Sequence, residues 1–233
     1  MAEIGVVIVA GGSGKRMGAA LPKQFMMLGN LPILGRTINS IREALPASQI
    51  VVVLPEDHIE LWKNIAARFE IAKHSIAAGG KERFHSVKSG IDALSPEIKT
   101  IAIHDGVRPL VSVELVREMF RKAVEIPALI PVLPCIDTMK VLKNEDGRLC
   151  AVEGAVADRS VLYAAQTPQI FHSEVLKSAY SLPYDTSFTD DASVVQKYGK
   201  SLSYIMGERL NIKITTQEDL LLAKAVMSLR DND

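Results

Sequence analysis

The amino-acid sequence predicts an α/β protein with a mostly parallel sheet, and three observations support this fold class. Short apolar runs typical of buried strands alternate along the chain with segments whose apolar residues recur at helical spacing. The first apolar run ends in a glycine-rich bend, which is typical of the ligand-binding edge of such a sheet. A later pair of β-patterned runs flanks an Asp-Gly turn and interrupts the alternation, which predicts a projecting β-hairpin arm.

The first half of the chain predicts strands at residues 4–10, 50–54, 75–78 and 100–104, each followed by a helix. Pro32 lies near the start of the first helix, where its missing N–H group does no harm. The apolar stripes that predict the four helices are Leu34, Ile38, Ile41 and Leu45; Ile59, Trp62, Ile65 and Phe69; Phe84, Val87, Ile91 and Leu94; and Val116, Met119, Phe120 and Val124.

In the second half, a strand at residues 128–133 precedes the hairpin, whose two runs cover residues 138–143 and 148–153. We expect this arm, residues 135–157, to be covered by a partner subunit, because an exposed apolar hairpin rarely stays bare. The remaining elements are strands at 163–167, 202–206 and 211–214, a helix after His172, a helix at 189–198, and a final helix capped by Thr215 and Thr216 with Glu218 and Asp219.

Composition limits the function classes. The 233 residues suit one large domain, residues 1–233, and the formal net charge of zero provides no global field to attract nucleic acid or a membrane surface. The longest apolar runs fall far short of the roughly 20 residues that a membrane span needs. No secretory signal is apparent, and Cys135 and Cys150 stand in no metal or redox motif. We therefore expect a cytoplasmic protein with reduced thiols.

The glycine-rich bend at residues 11–18 predicts a site for nucleotide phosphates. Glycines let the backbone approach a ligand closely, and Lys15, Arg16 and Lys23 would repel one another unless an anion bound there. The bend is not a mononucleotide P-loop, because Arg16 stands where Ser or Thr is required. It does not match the dinucleotide fingerprint either, because the gap between Gly14 and Gly18 is one residue too long. A plain strand-to-helix turn is the weaker alternative.

Two further polar groups follow strands on the expected ligand side of the sheet. Asp105 and Arg108 suit a hydroxylated or phosphorylated substrate, and a local turn pair is the alternative. The loop at residues 79–86 suits a ribose or base contact through Gly80 and Ser86, although a solvated helix N-terminus explains it nearly as well. These two groups extend the predicted nucleotide site toward a second substrate.

Several other polar residues are weak indications alone. Lys213 either faces solvent from its strand or completes a cation cage near the glycine bend. Thr189 is a candidate helix cap, and the five His residues show no metal-ligand spacing. No Ser-His-Asp or Cys-His arrangement stands out, so the sequence disfavours nucleophilic catalysis. The other weak groups are Thr138 with Lys140, Asp158 with Arg159, and the run from Gln166 to Gln169.

Taken in order, these segments resemble the 2-C-methyl-D-erythritol 4-phosphate cytidylyltransferase family over essentially the whole chain. The ordered set is far more specific than any single motif. It consists of Ala10-Gly11-Gly12-Ser13-Gly14-Lys15-Arg16-Met17-Gly18 with Pro22-Lys23-Gln24, His104-Asp105-Gly106-Val107-Arg108-Pro109, Asp137-Thr138-Met139-Lys140, Gln166-Thr167-Pro168-Gln169, Thr189-Asp190-Asp191-Ala192-Ser193 and Asn211-Ile212-Lys213.

The resemblance implies a single Rossmann-like nucleotidyltransferase domain that makes CDP-methylerythritol and pyrophosphate from CTP and methylerythritol phosphate with Mg²⁺, in non-mevalonate isoprenoid synthesis. The Mg²⁺ is expected to be held mainly through the CTP phosphates, and the homodimer to form by interlocking arms. Val107 and Lys81 differ from residues common in the family, and these differences put in doubt only the contacts with the base of the nucleotide.

The resemblance also implies site residues. Arg16, Lys23 and Lys213 would stabilise charge at the reacting phosphates. The expected nucleotide-binding residues are Ala10, Gly11, Gly12, Gly14, Lys15, Gly80, Ser86 and Asp105. The expected sugar-phosphate residues are Asp105, Arg108, Thr138, Lys140, Arg159, Thr167 and Thr189, of which Thr138, Lys140 and Arg159 would come from the partner subunit.

Two alternatives stay open at this stage. Ribitol-5-phosphate cytidylyltransferases share the fold and the glycine loop, and only the arm motif Thr138-Met139-Lys140 and the doubled acid Asp190-Asp191 favour methylerythritol phosphate. A catalytically silent nucleotide sensor on the same fold is the other alternative. Arg16, Lys23 and Lys213 together argue against a sensor, which needs affinity for CTP but has less need of three cations at the reacting phosphates.

Overall fold

The computed structural model describes residues 3–12 and 21–230. Its strands are β1 (Ile4–Val9), β2 (Met27–Leu28), β3 (Leu31–Pro32), β4 (Gln49–Leu54), β5 (Ser75–Ala78), β6 (Thr100–Asp105), β7 (Ala128–Pro134), β8 (Leu142–Glu145), β9 (Arg148–Ala151), β10 (Tyr163–Ala165), β11 (Gln169–His172) and β12 (Ser203–Met206). Its helices are α1 (Ile33–Ala44), α2 (Ile59–Ala66), α3 (Arg83–Asp92), α4 (Val113–Lys122), α5 (Ser173–Ala179), α6 (Asp191–Lys197) and α7 (Gln217–Arg230).

Across the part of the chain that the structure describes, eight strands form one sheet, in the order β5–β4–β1–β6–β11–β7, with β10 and β12 also paired to β7. The pairs β5–β4, β4–β1, β1–β6 and β7–β12 are parallel, with Val7 opposite both Val51 and Ile103. This confirms the predicted α/β class with a mostly parallel sheet. It also brings the carboxyl ends of β1, β4, β5 and β6 to one edge, where the glycine bend begins.

The antiparallel strand β11 was not predicted. It lies between β6 and β7 and runs opposite to both, with Ile170 opposite Ala102 and Leu129. Its four residues follow the cis peptide bond between Thr167 and Pro168. A run this short carries too little periodicity to be recognised, and strand direction depends on distant pairing that the local sequence does not encode.

Apolar layers cover both faces of the sheet. The central strands β1, β4 and β6 read as continuous apolar runs because helices pack on both sides of them. On one face, α1, α2 (which carries Trp62) and α4 pack against the sheet, and on the opposite face α3, α5 and α6 pack against it. A smaller cluster joins α7 to the segment before α1. The apolar core therefore packs on both faces of the sheet up to its carboxyl edge.

The structure corrects several expected boundaries. Residues 211–214 form no strand; Ile214 instead donates its N–H group to the carbonyl of Val107 at 2.9 Å. Asp190, not Thr189, caps α6, because its carboxylate accepts from the Ser193 N–H group and Ser193 completes a capping box. The helices α2 and α4 end before Phe69 and Val124, since side-chain spacing alone does not show where backbone hydrogen bonding stops.

The predicted hairpin is confirmed as β8 and β9, which form a two-stranded sheet separate from the main one. Its strands are shorter than the predicted runs. Asp146 and Gly147 both have positive φ, 51° and 87°, as a two-residue type I′ turn requires. The Asn144 side chain accepts from the Gly147 N–H group at 2.9 Å and closes the turn. None of the described helices is long and apolar enough to cross a membrane.

Candidate active site

The carboxyl edge of the sheet opens into a cavity of about 310 Å³. Eight of the residues singled out by the sequence line it together, although they come from five separate stretches of the chain. They are Ala10, Gly11, Gly12, Lys23, Gly80, Ser86, Asp105 and Lys213. Gly14, Lys15 and Arg16 lie outside the described residues, so their predicted contacts stay predictions.

The start of the glycine bend is tied to its neighbours by backbone and amide contacts. The Ala10 N–H group donates to the Val53 carbonyl at 2.9 Å, and the Gly106 N–H group donates to the Val9 carbonyl at 2.9 Å. The Gln24 amide, in the 3₁₀ turn Lys23–Phe25, donates to the Ala10 carbonyl at 2.8 Å. The two backbone bonds continue the parallel ladder past the strands, and the Gln24 bond ties Ala10 to the turn that carries Lys23.

Gly106 is required by a close approach of two loops. A Cβ atom at this position would lie 2.9 Å from the Ala10 Cβ atom and 3.1 Å from the Leu34 Cδ1 atom. Real Cβ atoms essentially never approach as closely as the first contact, and the second is tight, so glycine lets the loop after β6 pack against the loop after β1 without displacing Ala10. This packing places Asp105 directly beside the start of the glycine bend.

Asp105 is the charged centre of the cavity. Its Oδ2 atom lies 3.1 Å from the Lys213 ammonium nitrogen and 3.2 Å from the Arg108 Nε atom. Burial alone would raise the pKa of Asp105, but the positive charges of Lys213, Arg83 and Arg108 lower it to about 2. The carboxylate is therefore ionised at neutral pH and offers a fixed negative charge between two cations.

His104 contacts two residues that also contact Asp105, namely Arg108 and Thr167. Its ring is completely buried, and its Nε2 atom lies 3.2 Å from the Arg108 carbonyl oxygen, which can only accept. Nε2 therefore carries the proton, and Nδ1 accepts from the Thr167 hydroxyl at 3.0 Å. Burial lowers the pKa of His104 to about 4, so the ring is neutral near pH 7. It orients the loop and is not placed to serve as a base.

Thr167 is engaged by protein groups on both sides. Its hydroxyl oxygen accepts from the Asp105 N–H group at 3.0 Å, and its proton goes to His104. The side chain is only 5% exposed. These contacts hold the backbone of Asp105 in place. Direct binding of the sugar phosphate by Thr167 stays a prediction.

The loop after β5 is closed by Ser86. The Ser86 Oγ atom accepts from the Gly80 N–H group at 3.1 Å and donates to the Glu82 carbonyl at 3.2 Å. A Cβ atom at Gly80 would collide with the His85 Cβ atom, so glycine is needed here. Both predicted residues therefore shape the cavity wall. Their contacts with a nucleotide stay predictions.

A partly buried ion pair at the cavity was not predicted from the sequence, where Arg83 entered only through the alternative of a solvated helix N-terminus. Arg83 lines the cavity, and its two terminal nitrogens donate to both carboxylate oxygens of Asp191, at 2.9 and 2.6 Å. Asp191 is fully buried and also accepts from the Tyr180 hydroxyl at 2.6 Å. The doubled acid at positions 190–191 was the available signal, but 108 residues separate the two partners.

The remaining predicted substrate residues lie elsewhere. Thr138, Lys140 and Arg159 are exposed around the base of the arm, where the Arg159 Nη1 atom donates to the Ile136 carbonyl at 2.7 Å. Thr189 lines a second cavity, of about 730 Å³, between α6 and the strands β7, β10 and β12. Within the described residues of one chain, these four side chains are thus not part of the lining of the 310 Å³ cavity.

No three His, Cys, Asp or Glu side chains in the described ranges come together as a metal site. Asp105 and Glu82 are the carboxylates in the cavity lining, and Asp105 is already shared by two cations. This donor set fits a hard divalent ion such as Mg²⁺ only if most of its oxygen ligands come from a bound phosphate chain. Asp105 is the residue best placed to add one ligand.

Comparison with known proteins agrees with this geometry. A family model described as 2-C-methyl-D-erythritol 4-phosphate cytidylyltransferase matches residues 4–229. The curated protein of that name from Bacteroides fragilis is 43% identical over 223 residues, covering 95% of this chain and 98% of the relative. The one from Geobacillus kaustophilus is 39% identical over 227 residues, covering 96% of each chain.

Solved structures give the same result. The 4-diphosphocytidyl-2C-methyl-D-erythritol synthase of Anaerococcus prevotii matches with a TM-score of 0.78 at 26% identity, covering 97% of this chain and 99% of its own. The 2-C-methyl-D-erythritol 4-phosphate cytidylyltransferase of Thermus thermophilus matches with a TM-score of 0.73 at 28% identity, covering 97% and 98%. The chain therefore belongs to the 2-C-methyl-D-erythritol 4-phosphate cytidylyltransferase family.

Proposed function

We propose that this protein transfers a cytidylyl group from CTP to 2-C-methyl-D-erythritol 4-phosphate and releases pyrophosphate, within the non-mevalonate isoprenoid pathway. The observation that carries the proposal is the meeting of Lys23, Asp105 and Lys213 in one cavity at the carboxyl ends of β1 and β6. The family match over residues 4–229 supports the choice of substrates, and it favours them over ribitol 5-phosphate.

The chemistry needs alignment and charge stabilisation more than proton transfer. The attacking phosphate oxygen is already anionic, so no general base is required, in agreement with the neutral, fully engaged His104. Negative charge grows on the α-phosphate and on the departing pyrophosphate, and preorganised cations stabilise it most effectively. We assign this role to Lys23 and Lys213, together with Arg16, and assign phosphate binding to Lys15.

Mg²⁺ would be held mainly by the phosphate oxygens of CTP, with Asp105 as the nearest carboxylate. The ion would supply further charge neutralisation at the triphosphate. Within the chain itself, Asp105 holds Lys213 at 3.1 Å, which keeps this cation at the cavity, and it holds Arg108 at 3.2 Å behind the lining. Arg108 and Asp105 would then meet the phosphate and the hydroxyl groups of the second substrate.

We further propose that residues 135–157 of this single domain form a dimerisation arm that completes the site of a partner subunit. Leu142 and Leu149 are 47% and 68% exposed and lie on the same face of the hairpin, and adjoining exposed apolar side chains are typical of a protein–protein contact. In this arrangement Thr138, Lys140 and Arg159 would reach the second substrate of the partner subunit. Their exposure at the base of the arm supports this role.

The decisive experiment measures pyrophosphate release with CTP and Mg²⁺, comparing methylerythritol 4-phosphate with ribitol 5-phosphate at equal concentrations. We expect strong preference for methylerythritol phosphate. Preference for ribitol phosphate would move the protein to the sister activity, and CTP binding without turnover of either substrate would indicate a sensor. Lys213→Ala should lower turnover, whereas the exposed Lys200→Ala serves as a matched control.

The arm proposal has its own test by light scattering. We expect a dimer for the wild-type chain and a shift toward monomer for Leu149→Glu, because a buried carboxylate without a partner disfavours association. A wild-type monomer with full activity would overturn the assignment of Thr138, Lys140 and Arg159 to a shared site.

A further inference from the structure

Lys213 lies in a segment without regular secondary structure. The chain leaves β12 at Met206 and enters α7 at Gln217, and residues 207–216 belong to no helix or strand. The Lys213 side chain is 45% exposed, so packing alone does not fix it. A cation that acts on a reacting phosphate must nevertheless be held within a fraction of an ångström. Something other than the sheet has to hold this segment.

We propose that Gln166 and Asn211 are positioning residues that hold the Lys213 segment at the cavity, an inference that rests on the catalytic role proposed for Lys213. Neither side chain lines the cavity in the described structure, and both are almost completely buried, at 6% and 0% exposure. They act on the backbone of the segment and not on a substrate.

Gln166 pairs with the segment as a β-strand would. Its amide nitrogen donates to the Glu208 carbonyl at 2.9 Å, and its amide oxygen accepts from the Glu208 N–H group at 3.2 Å. A Cβ atom at Gly207 would collide with this amide oxygen, so the glycine leaves the space that the pairing needs. One buried side chain thereby adds two ladder-like bonds between the backbone bonds that Gly207 makes to Val132 and Ile214 makes to Val107.

Asn211 anchors the segment two residues before Lys213. Its side-chain nitrogen donates to the Thr167 carbonyl at 2.9 Å. Its main-chain carbonyl accepts from the Arg108 Nη1 atom at 2.7 Å, and Arg108 also binds Asp105. Asn211 therefore links the loop after β6, the Thr167 turn and the segment that carries Lys213. Because Lys213 itself contacts Asp105, a slip of Asn211 moves the ammonium group relative to the acid.

The test is a double-mutant cycle on turnover with the full-length protein, CTP, Mg²⁺ and methylerythritol 4-phosphate. We expect Asn211→Ala to lower kcat by about tenfold or more in the wild-type background, since a displacement near 1 Å can cost up to a hundredfold. In the Lys213→Ala background the same change should lower kcat by less than about twofold, because residues that act through one group are not additive. Equal losses in both backgrounds would overturn the inference.

Two further variants separate positioning from loss of fold. Gln166→Met keeps side-chain length and removes both bonds to Glu208, so it should show the same dependence on Lys213 even if Asn211→Ala folds poorly. Asn39→Ala is the matched control, because its amide likewise bonds the backbone, at Glu70 and Ala72, outside the cavity. It should lower stability without lowering kcat.

The outcomes also distinguish this inference from the proposed function. If the wild-type protein releases no pyrophosphate, or if Lys213→Ala leaves kcat unchanged, the catalytic role of Lys213 fails and the positioning role fails with it. If Lys213→Ala lowers kcat but both positioning variants act independently of it, only the positioning role fails.

Discussion

The charge of Asp105 gives the sharpest prediction from the structure. Asp105→Asn keeps the size of the side chain and removes the negative charge that faces Lys213 and Arg108 at 3.1 and 3.2 Å. In the wild-type protein these cations and Arg83 outweigh the effect of burial and lower the pKa of Asp105 from 3.8 to about 2. The folded state therefore prefers the ionised acid more than the unfolded state does.

The size and sign of the effect follow from linkage. A depressed carboxyl pKa contributes stability that is present above the unfolded pKa of 3.8 and is lost as the pH falls through the folded pKa of about 2. The difference between these two pKa values corresponds to about 2 kcal/mol at pH 7, and about half of that remains at pH 3. The variant has no such dependence, because an amide does not titrate.

The assay is urea unfolding of the wild-type protein and Asp105→Asn at pH 7, 5 and 3. We expect the wild-type advantage in free energy of unfolding to stay constant from pH 7 to 5 and to shrink by about 1 kcal/mol by pH 3. A variant as stable as the wild-type protein at pH 7, or an advantage that does not change down to pH 3, would refute the reasoning.

Three other predictions follow from the site. His104 should stay neutral above about pH 5 by NMR, and titration near pH 6.5 would contradict this. Because the folded pKa of His104 lies below the unfolded value of 6.5, the free energy of unfolding of the wild-type protein, measured relative to His104→Gln, should fall by about 2 kcal/mol from pH 7 to 5. Lys23→Ala should lower turnover by about a hundredfold with circular dichroism unchanged, and near-normal turnover would remove Lys23 from the reaction. Asp191→Asn should cost about 2 kcal/mol in urea unfolding, because it weakens charged hydrogen bonds to an Arg83 side chain that is 33% exposed. Tyr180→Phe should cost about 1 kcal/mol; equal costs would argue against a charged pair.

The sequence predicted the parts of the site that depend on local chemistry. Glycines after an apolar strand, with Lys23 close behind, indicate a phosphate loop without any knowledge of the fold. Asp105 and Arg108 were found because they directly follow a buried strand, and parallel strands end at a common edge. The hairpin was found because an Asp-Gly turn needs positive φ, which few residues adopt.

The structure decided what depends on distant contacts. The sequence left open whether Arg83 is solvated at a helix start, and only folding brings it against Asp191, to which Tyr180 also donates. Residues 211–214 alternate like a strand but form none. They are held instead by one backbone bond, from the Ile214 N–H group to the Val107 carbonyl, and by the Asn211 side chain, which donates to the Thr167 carbonyl. Thr189 looked like a cap, but Asp190 has the carboxylate in reach of Ser193.

The sequence by itself determined the fold class and the family resemblance and predicted a phosphate site at the glycine bend, because these follow from periodicity, glycine geometry and the order of short motifs. Only the tertiary structure decided which side chains share a cavity, which charges are paired and which ring nitrogen of His104 carries the proton. Such properties depend on burial and on distances between residues far apart in the chain. A local sequence pattern predicts neither the burial of a side chain nor its distance from a residue far away in the chain.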